Sequence, residues 1–172
     1  MNESDEFYSF HDRVPFGCLI TFRTYGTWLH GDQRGSIDRD HNLRGTPRIP
    51  PNPPRQAYEQ RLLSRPPVFL GRRRREAVRL AVVNACELRG WILHALNVRT
   101  NHVHLVAATD VLARTVLSTM KARATAQMRR LGCWSSDRSP WAKGGSARAI
   151  WTAQGLGRAI EYVLHGQGPD LD

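Results

Sequence analysis

The chain has 172 residues, 25 Lys and Arg against 15 Asp and Glu, a net charge of +10 and three cysteines. That length suits one domain, residues 1–172, able to bury roughly two-thirds of its unfolded surface; Cys18, Cys86 and Cys133 are too few and too scattered for a disulfide framework or a C-x-x-C zinc site. The acidic start has no apolar leader and no apolar run approaches the ~20 residues of a membrane span, so a cytoplasmic protein with reduced thiols and no membrane partner is expected.

Residues 1–13 read as a polar arm. Phe16 to Leu29 is rich in aromatic and β-branched residues and predicts a long first strand bending at Gly26. Residues 30–71 hold seven of the ten prolines (47, 50, 51, 53, 54, 66 and 67) and cannot supply a long hydrogen-bonded ladder, so they read as an insertion with a short helix near 55–63.

Arg72 to Arg89 has apolar residues at helical spacing (Val78, Ala81, Val82, Ala85, Leu88) and Gly90 as its stop. Four arginines, Arg72, Arg73, Arg74 and Arg75, open this helix against its dipole, a conflict that a bound phosphate would relieve. A strand at 91–99, a turn at Thr100-Asn101 and a returning strand to about Ala108 form a hairpin. Asp110 is the expected cap of a second long helix reaching Leu131, with Ala113, Leu117, Met120, Ala124, Met128 and Leu131 as its buried stripe and Gly132 as its stop. Residues 133–145 read as a loop and 147–152 as a fourth strand. A last helix over 155–165 turns Leu156, Ala159, Ile160 and Val163 inward and Arg158, Tyr162 and His165 outward, and Gly166 ends it. The order strand, helix, strand, strand, helix, strand predicts an α+β, ferredoxin-like split β-α-β fold: an antiparallel four-stranded sheet, two long helices and an added C-terminal helix.

All basic residues but Lys121 and Lys143 are arginine. A planar guanidinium takes phosphate oxygens in pairs, so the bias favours a nucleic-acid partner, although a GC-rich genome also supplies arginine for ordinary surfaces. Arg72, Arg73, Arg74, Arg75, Arg114, Lys121 and Arg158 are the expected nucleic-acid contacts.

In Thr100-Asn101-His102-Val103-His104-Leu105-Val106, strand alternation puts His102 and His104 on one face and Val103 and Leu105 on the other. Two imidazoles on a rigid strand can hold one divalent metal, yet an isolated His-x-His is often chance, and softness alone would favour zinc. Tyr162 lies on the last helix beside His165; the bland alternative is an interfacial tyrosine. Tyr25 and Tyr58 are rivals by residue type only. His11, His30, His41 and His94 lack a paired neighbour, and Asp32 and Asp38 sit in turn-like surroundings.

The HVHLV strand, Tyr162 within EYVLH and the small basic ferredoxin-like frame resemble the IS200-like single-tyrosine transposases and their REP-associated relatives, the HUH endonucleases. His102, Val103, His104 and Tyr162 match that family's motif residue by residue, and the likeness spans Phe16 to Gly168 apart from the insertion. It implies metal-dependent cleavage and rejoining of single-stranded, hairpin-forming DNA in transposition, through a 5′-phosphotyrosine on Tyr162. It further implies Mg²⁺ or Mn²⁺ on His102 and His104, and a homodimer in which the tyrosine helix serves its own or its partner's site, acting at the bacterial nucleoid. The family's third ligand falls about one turn after the tyrosine, where this chain has Gly166; His165 is the preferred substitute, with Gln167 or no protein ligand as alternatives. A host-adopted protein of the same fold that binds hairpin DNA or RNA without chemistry is the rival reading.

Overall fold

The computed structural model describes residues 14–36 and 47–166. Its elements are β1 (Gly17–Arg23), α1 (Pro53–Arg61), α2 (Arg72–Arg89), β2 (Ile92–Val98), β3 (His102–Ala108), α3 (Ala113–Arg130), β4 (Ser146–Ile150) and α4 (Ala153–Leu164). The strands form one antiparallel sheet in the order β2-β3-β1-β4. This is the α+β, ferredoxin-like order expected from the sequence, with α1 added between β1 and α2.

Alternation along the strands gives the sheet two different faces. Cys18, Ile20 and Phe22 of β1 and Val103, Leu105 and Ala107 of β3 pack against Ala77, Val78, Ala81, Val82 and Ala85 of α2 and Val116, Leu117, Met120, Ala124 and Met128 of α3. Burying each of the larger aliphatic side chains is worth roughly 1.5–3 kcal/mol. On the other face a smaller cluster of Ala95, Val106, Ile150 and Val163, joined by Leu19, Leu156, Ala159 and Ile160, seats α4 across the sheet. The second face is covered by α4 only in part, and Thr21, Arg23, His102 and His104 are among its remaining strand residues.

The spacing-based helices are where the sequence places them. Helix α2 stops at Gly90, which takes φ +66° and lets its N–H return to the helix carbonyls. Helix α4 starts at Ala153, two residues earlier than expected, because Thr152 caps it by accepting from Gly155 N–H.

Three expectations are corrected. Strand β1 ends at Arg23: Gly26 turns the chain at φ +72°, and Tyr25 bonds through its backbone to Pro140 and Val68. Asp110 does not cap α3; its carboxylate accepts from Trp91 Nε1 at 2.9 Å, and Leu112 holds the cap position with no side-chain bond. Leu131 lies past the helix and is exposed, whereas Val116 joins the core. The 133–145 segment is a loop but a packed one: Trp134 and Trp141 are both buried, and Trp141 Nε1 donates to Thr125 Oγ1 at 2.9 Å. The expected polar arm at 1–13 and part of the insertion, 37–46, lie outside the described residues.

Candidate active site

The partly open face of the sheet carries a polar row. In register across the strands stand Ser146 of β4, Thr21 of β1, His104 of β3 and Asn97 of β2, and in the next row Arg23 faces His102. Alternation turns all of these side chains to the α4 side. His102 and His104 contact each other edge to face with ring centroids 4.7 Å apart.

Each imidazole is oriented through Nδ1. His102 Nδ1 lies 2.5 Å from Asn101 Oδ1; since a carbonyl oxygen only accepts, the neutral tautomer that satisfies this pair carries its proton on Nδ1 and would leave the lone pair on Nε2. His104 Nδ1 is 2.7 Å from Thr21 Oγ1, and the same tautomer satisfies that pair. A neighbour that fixes the far ring nitrogen is the usual support of a metal-binding histidine.

Helix α4 brings the phenol to this pair. Tyr162 packs edge to face on His104 with centroids 5.6 Å apart and remains 45% exposed, while His104 is 5% exposed. The helix is anchored there by Asn97, whose Nδ2 donates to the carbonyl of Val163 at 3.0 Å. The sheet residue beside His104 therefore holds the backbone next to Tyr162.

Beside the histidines, Arg23 lies with its guanidinium carbon 3.1 Å above the Trp28 ring centroid. Burial, then the nearby Arg34 and Arg48 cations, pull its pKa down to about 10, with Tyr162 and Asp32 acting in the opposite sense. The group stays charged at neutral pH in a strongly cationic neighbourhood. Asp32 closes a turn as expected, accepting from Arg34 N–H at 3.0 Å, and its two oxygens each hold the Arg34 guanidinium at 2.7 Å.

The other sequence-nominated residues divide. His165 sits just past the end of α4, exposed, with Nδ1 2.8 Å from Glu161 Oε1. Among the described residues no group of three His, Cys, Asp or Glu side chains is placed to hold a metal, so His165 is not brought to the pair as a third ligand. Gln167 lies outside the described residues. Lys121, one of the expected nucleic-acid contacts, anchors a loop by donating to the carbonyls of Ala142 at 2.7 Å and Gly144 at 3.0 Å. Arg74 is likewise committed to the carbonyls of Cys133 and Phe69, both at 2.9 Å. Arg72 pairs with Glu76, and Arg72 and Arg75 line a small surface recess with Arg79 on α2. Arg73 and Arg158 are exposed. Arg114 lines a cleft that opens from Thr21 and Arg23. Tyr25 is held by Ser64 and Tyr58 is on α1, so neither rival tyrosine belongs to the histidine pair.

Sequence reasoning missed Thr21, Arg23, Trp28, Asn97 and Asn101. Asn101 was readable as the neighbour of His102, but Thr21, Arg23 and Asn97 join the site through strand register and Trp28 through its contact with Arg23, neither of which the sequence shows.

No protein-family profile and no curated protein matches this sequence. Among solved structures, one of a REP-associated tyrosine transposase bound to a REP hairpin aligns at 13% identity and a TM-score of 0.47, over 95% of this chain and 70% of that one.

Proposed function

We propose that this protein is a single-tyrosine strand transferase that cuts and rejoins single-stranded DNA. The observation that carries the reading is the contact of Tyr162 with His104 on the face shared with His102. Two oriented imidazoles and a solvent-accessible phenol on one wall make a poor structural motif and a serviceable phosphoryl-transfer site.

His102 and His104, with their rings fixed by Asn101 and Thr21, would be the residues that hold a divalent ion here. Such an ion, Mg²⁺ or Mn²⁺ by resemblance, would polarise a phosphoryl oxygen. The chain's own part is positioning. Asn97 and the apolar seat of α4 hold Tyr162 so that its hydroxyl oxygen attacks phosphorus. As the new O–P bond forms the phenolic proton passes to solvent water and the P–O3′ bond breaks, and the departing 3′-oxygen takes a proton from water, leaving a 5′-phosphotyrosine and a free 3′-OH. A phenol stores the phosphodiester energy, so a 3′-OH can reverse the step without an external energy source.

On this reading α4 serves the histidines of its own chain, through the Tyr162–His104 contact, and the site would assemble without the dimer that the family resemblance implies. The test is a hairpin-bearing single strand incubated with Mn²⁺ or Mg²⁺. An SDS-stable adduct is expected with the wild type and none with Tyr162→Phe. A second reading, a binding protein without chemistry, is favoured by one observation: no third metal-capable side chain joins the pair among the described residues. Retained hairpin binding with no adduct from either protein would select it.

A further inference from the structure

Among the described residues, a cleft of about 1040 Å³ runs from the open face of β1 between the segment after β1 and the start of β4; Arg23, Trp28, Arg114, Lys143 and Arg148 are in its lining, with Glu59 as the acidic member. Arg23 stands at its inner end, in register with His102. The Trp28 indole fixes that guanidinium from one side, and Arg34 and Arg48 approach the same ring at 5.3 and 5.6 Å. Three like charges thus converge on one indole, and Asp32, the carboxylate among them, is bound bidentately to Arg34. Trp28 itself is tied down by Nε1 donating to Gly35 O at 2.7 Å. Such a cluster is unfavourable alone and is relieved by an anion, and a guanidinium braced on an aromatic ring is well organised for a phosphate.

We propose that Arg23, braced on Trp28, binds one phosphodiester of a single strand that lies in this cleft and leads into the His102–His104–Tyr162 site. The proposal rests on the strand-transfer reading for its choice of ligand and gives the segment after β1 a role: it supplies the brace and the second wall. Cations on β4 and α3 line the opposite wall, so the strand is held by its backbone. On the strand-transfer reading a phosphodiester chain fits better than an acidic peptide, because the cleft shares Thr21 and Arg23 with the rows that carry His104 and His102.

The experiment uses Tyr162→Phe protein, to prevent adducts, and fluorescein-labelled single strands each carrying one uncharged methylphosphonate linkage. One linkage is expected to be critical, its neutralisation weakening binding about tenfold or more, as for loss of a charge-assisted hydrogen bond. Adding Arg23→Gln should abolish the sensitivity at that linkage and leave the others, and should flatten the salt dependence by about 0.7 in slope. Arg148→Gln should desensitise a different linkage, which keeps the test decisive if Arg23→Gln unfolds, as judged by thermal melting. Uniform weakening at every linkage, no change, no binding of the strand, or equal binding of polyglutamate would each overturn the proposal. Linkage mapping as expected with no adduct from the Tyr162-intact protein would overturn strand transfer alone; an adduct with no Arg23 coupling would overturn the phosphate brace alone.

Discussion

A methyl group on Gly166 would stand 2.9 Å from Cδ2 of Tyr162 and 2.8 Å from its carbonyl oxygen. The position one turn after the tyrosine therefore admits the phenol where it lies by carrying no side chain. What reads in the sequence as a missing ligand is, in the structure, room for the ring.

Gly166→Ala is accordingly expected to displace the end of α4 and with it the Tyr162 ring, because the methyl would meet the Tyr162 carbonyl oxygen as well as the ring. Misplacement of a reacting group by about 1 Å costs on the order of 10²-fold in rate. Adduct formation should fall by that order with little change in melting temperature, and an unchanged rate would show that the ring is free to adjust.

Thr21→Val removes the oxygen that orients His104 through Nδ1 and preserves the β-branched shape of the strand. Loss of such a partner typically weakens metal binding or activity about 10–100-fold. Titration calorimetry with Mn²⁺ should register the loss, and Thr21→Ser should restore most of it; equal affinities in all three proteins would remove Thr21 from the site.

The assignment of Tyr162 to its own chain's histidines makes a mixing prediction. Chains carrying Tyr162→Phe, combined with chains carrying His104→Ala, should give no adduct. Recovered activity would mean that α4 reaches across to a second copy.

Asp32 sets an acid limit. Its side-chain hydrogen bond with Arg34, the largest effect, holds the carboxyl below its ordinary 3.8 despite the opposing cost of burial. A folded-state pKa below the unfolded one adds stability that is complete above the unfolded value and is lost as pH falls through 3.8 toward the folded value. Urea unfolding should therefore show the wild type losing its advantage over Asp32→Asn between about pH 5 and pH 2, the advantage at neutral pH being constant.

The elements legible in the sequence are those whose evidence is local. Apolar spacing closed by Gly90 marks α2, the Thr100-Asn101 turn marks the hairpin, and the stripe of Leu156, Ala159, Ile160 and Val163 marks the seat of α4. His102, His104 and Tyr162 were nominated from residue type, alternation and family likeness, and the fold brings them together. What the sequence hides is mostly tertiary. Asp110 looks like a cap until Trp91 claims its carboxylate, and the carbonyls that Lys121 and Arg74 engage belong to other segments of the chain. Charge can be counted along a chain, but its commitments depend on which loop folds beneath it. Arg23 went unnoticed because its partner in register lies 79 positions away, and only the β1–β3 pairing places it beside His102.

The link from β4 to α4 has a mechanical consequence. Only Trp151 and Thr152 separate the strand from the helix, and β4 is an edge strand hydrogen-bonded to β1 alone. If DNA under tension is attached at Tyr162, the load passes through α4 both to this short link and to the helix's seat on β2 and β3, where Asn97 holds the Val163 carbonyl. Force spectroscopy on Asn97→Ala should find the nucleophile's mount yielding at a lower load than in the wild type.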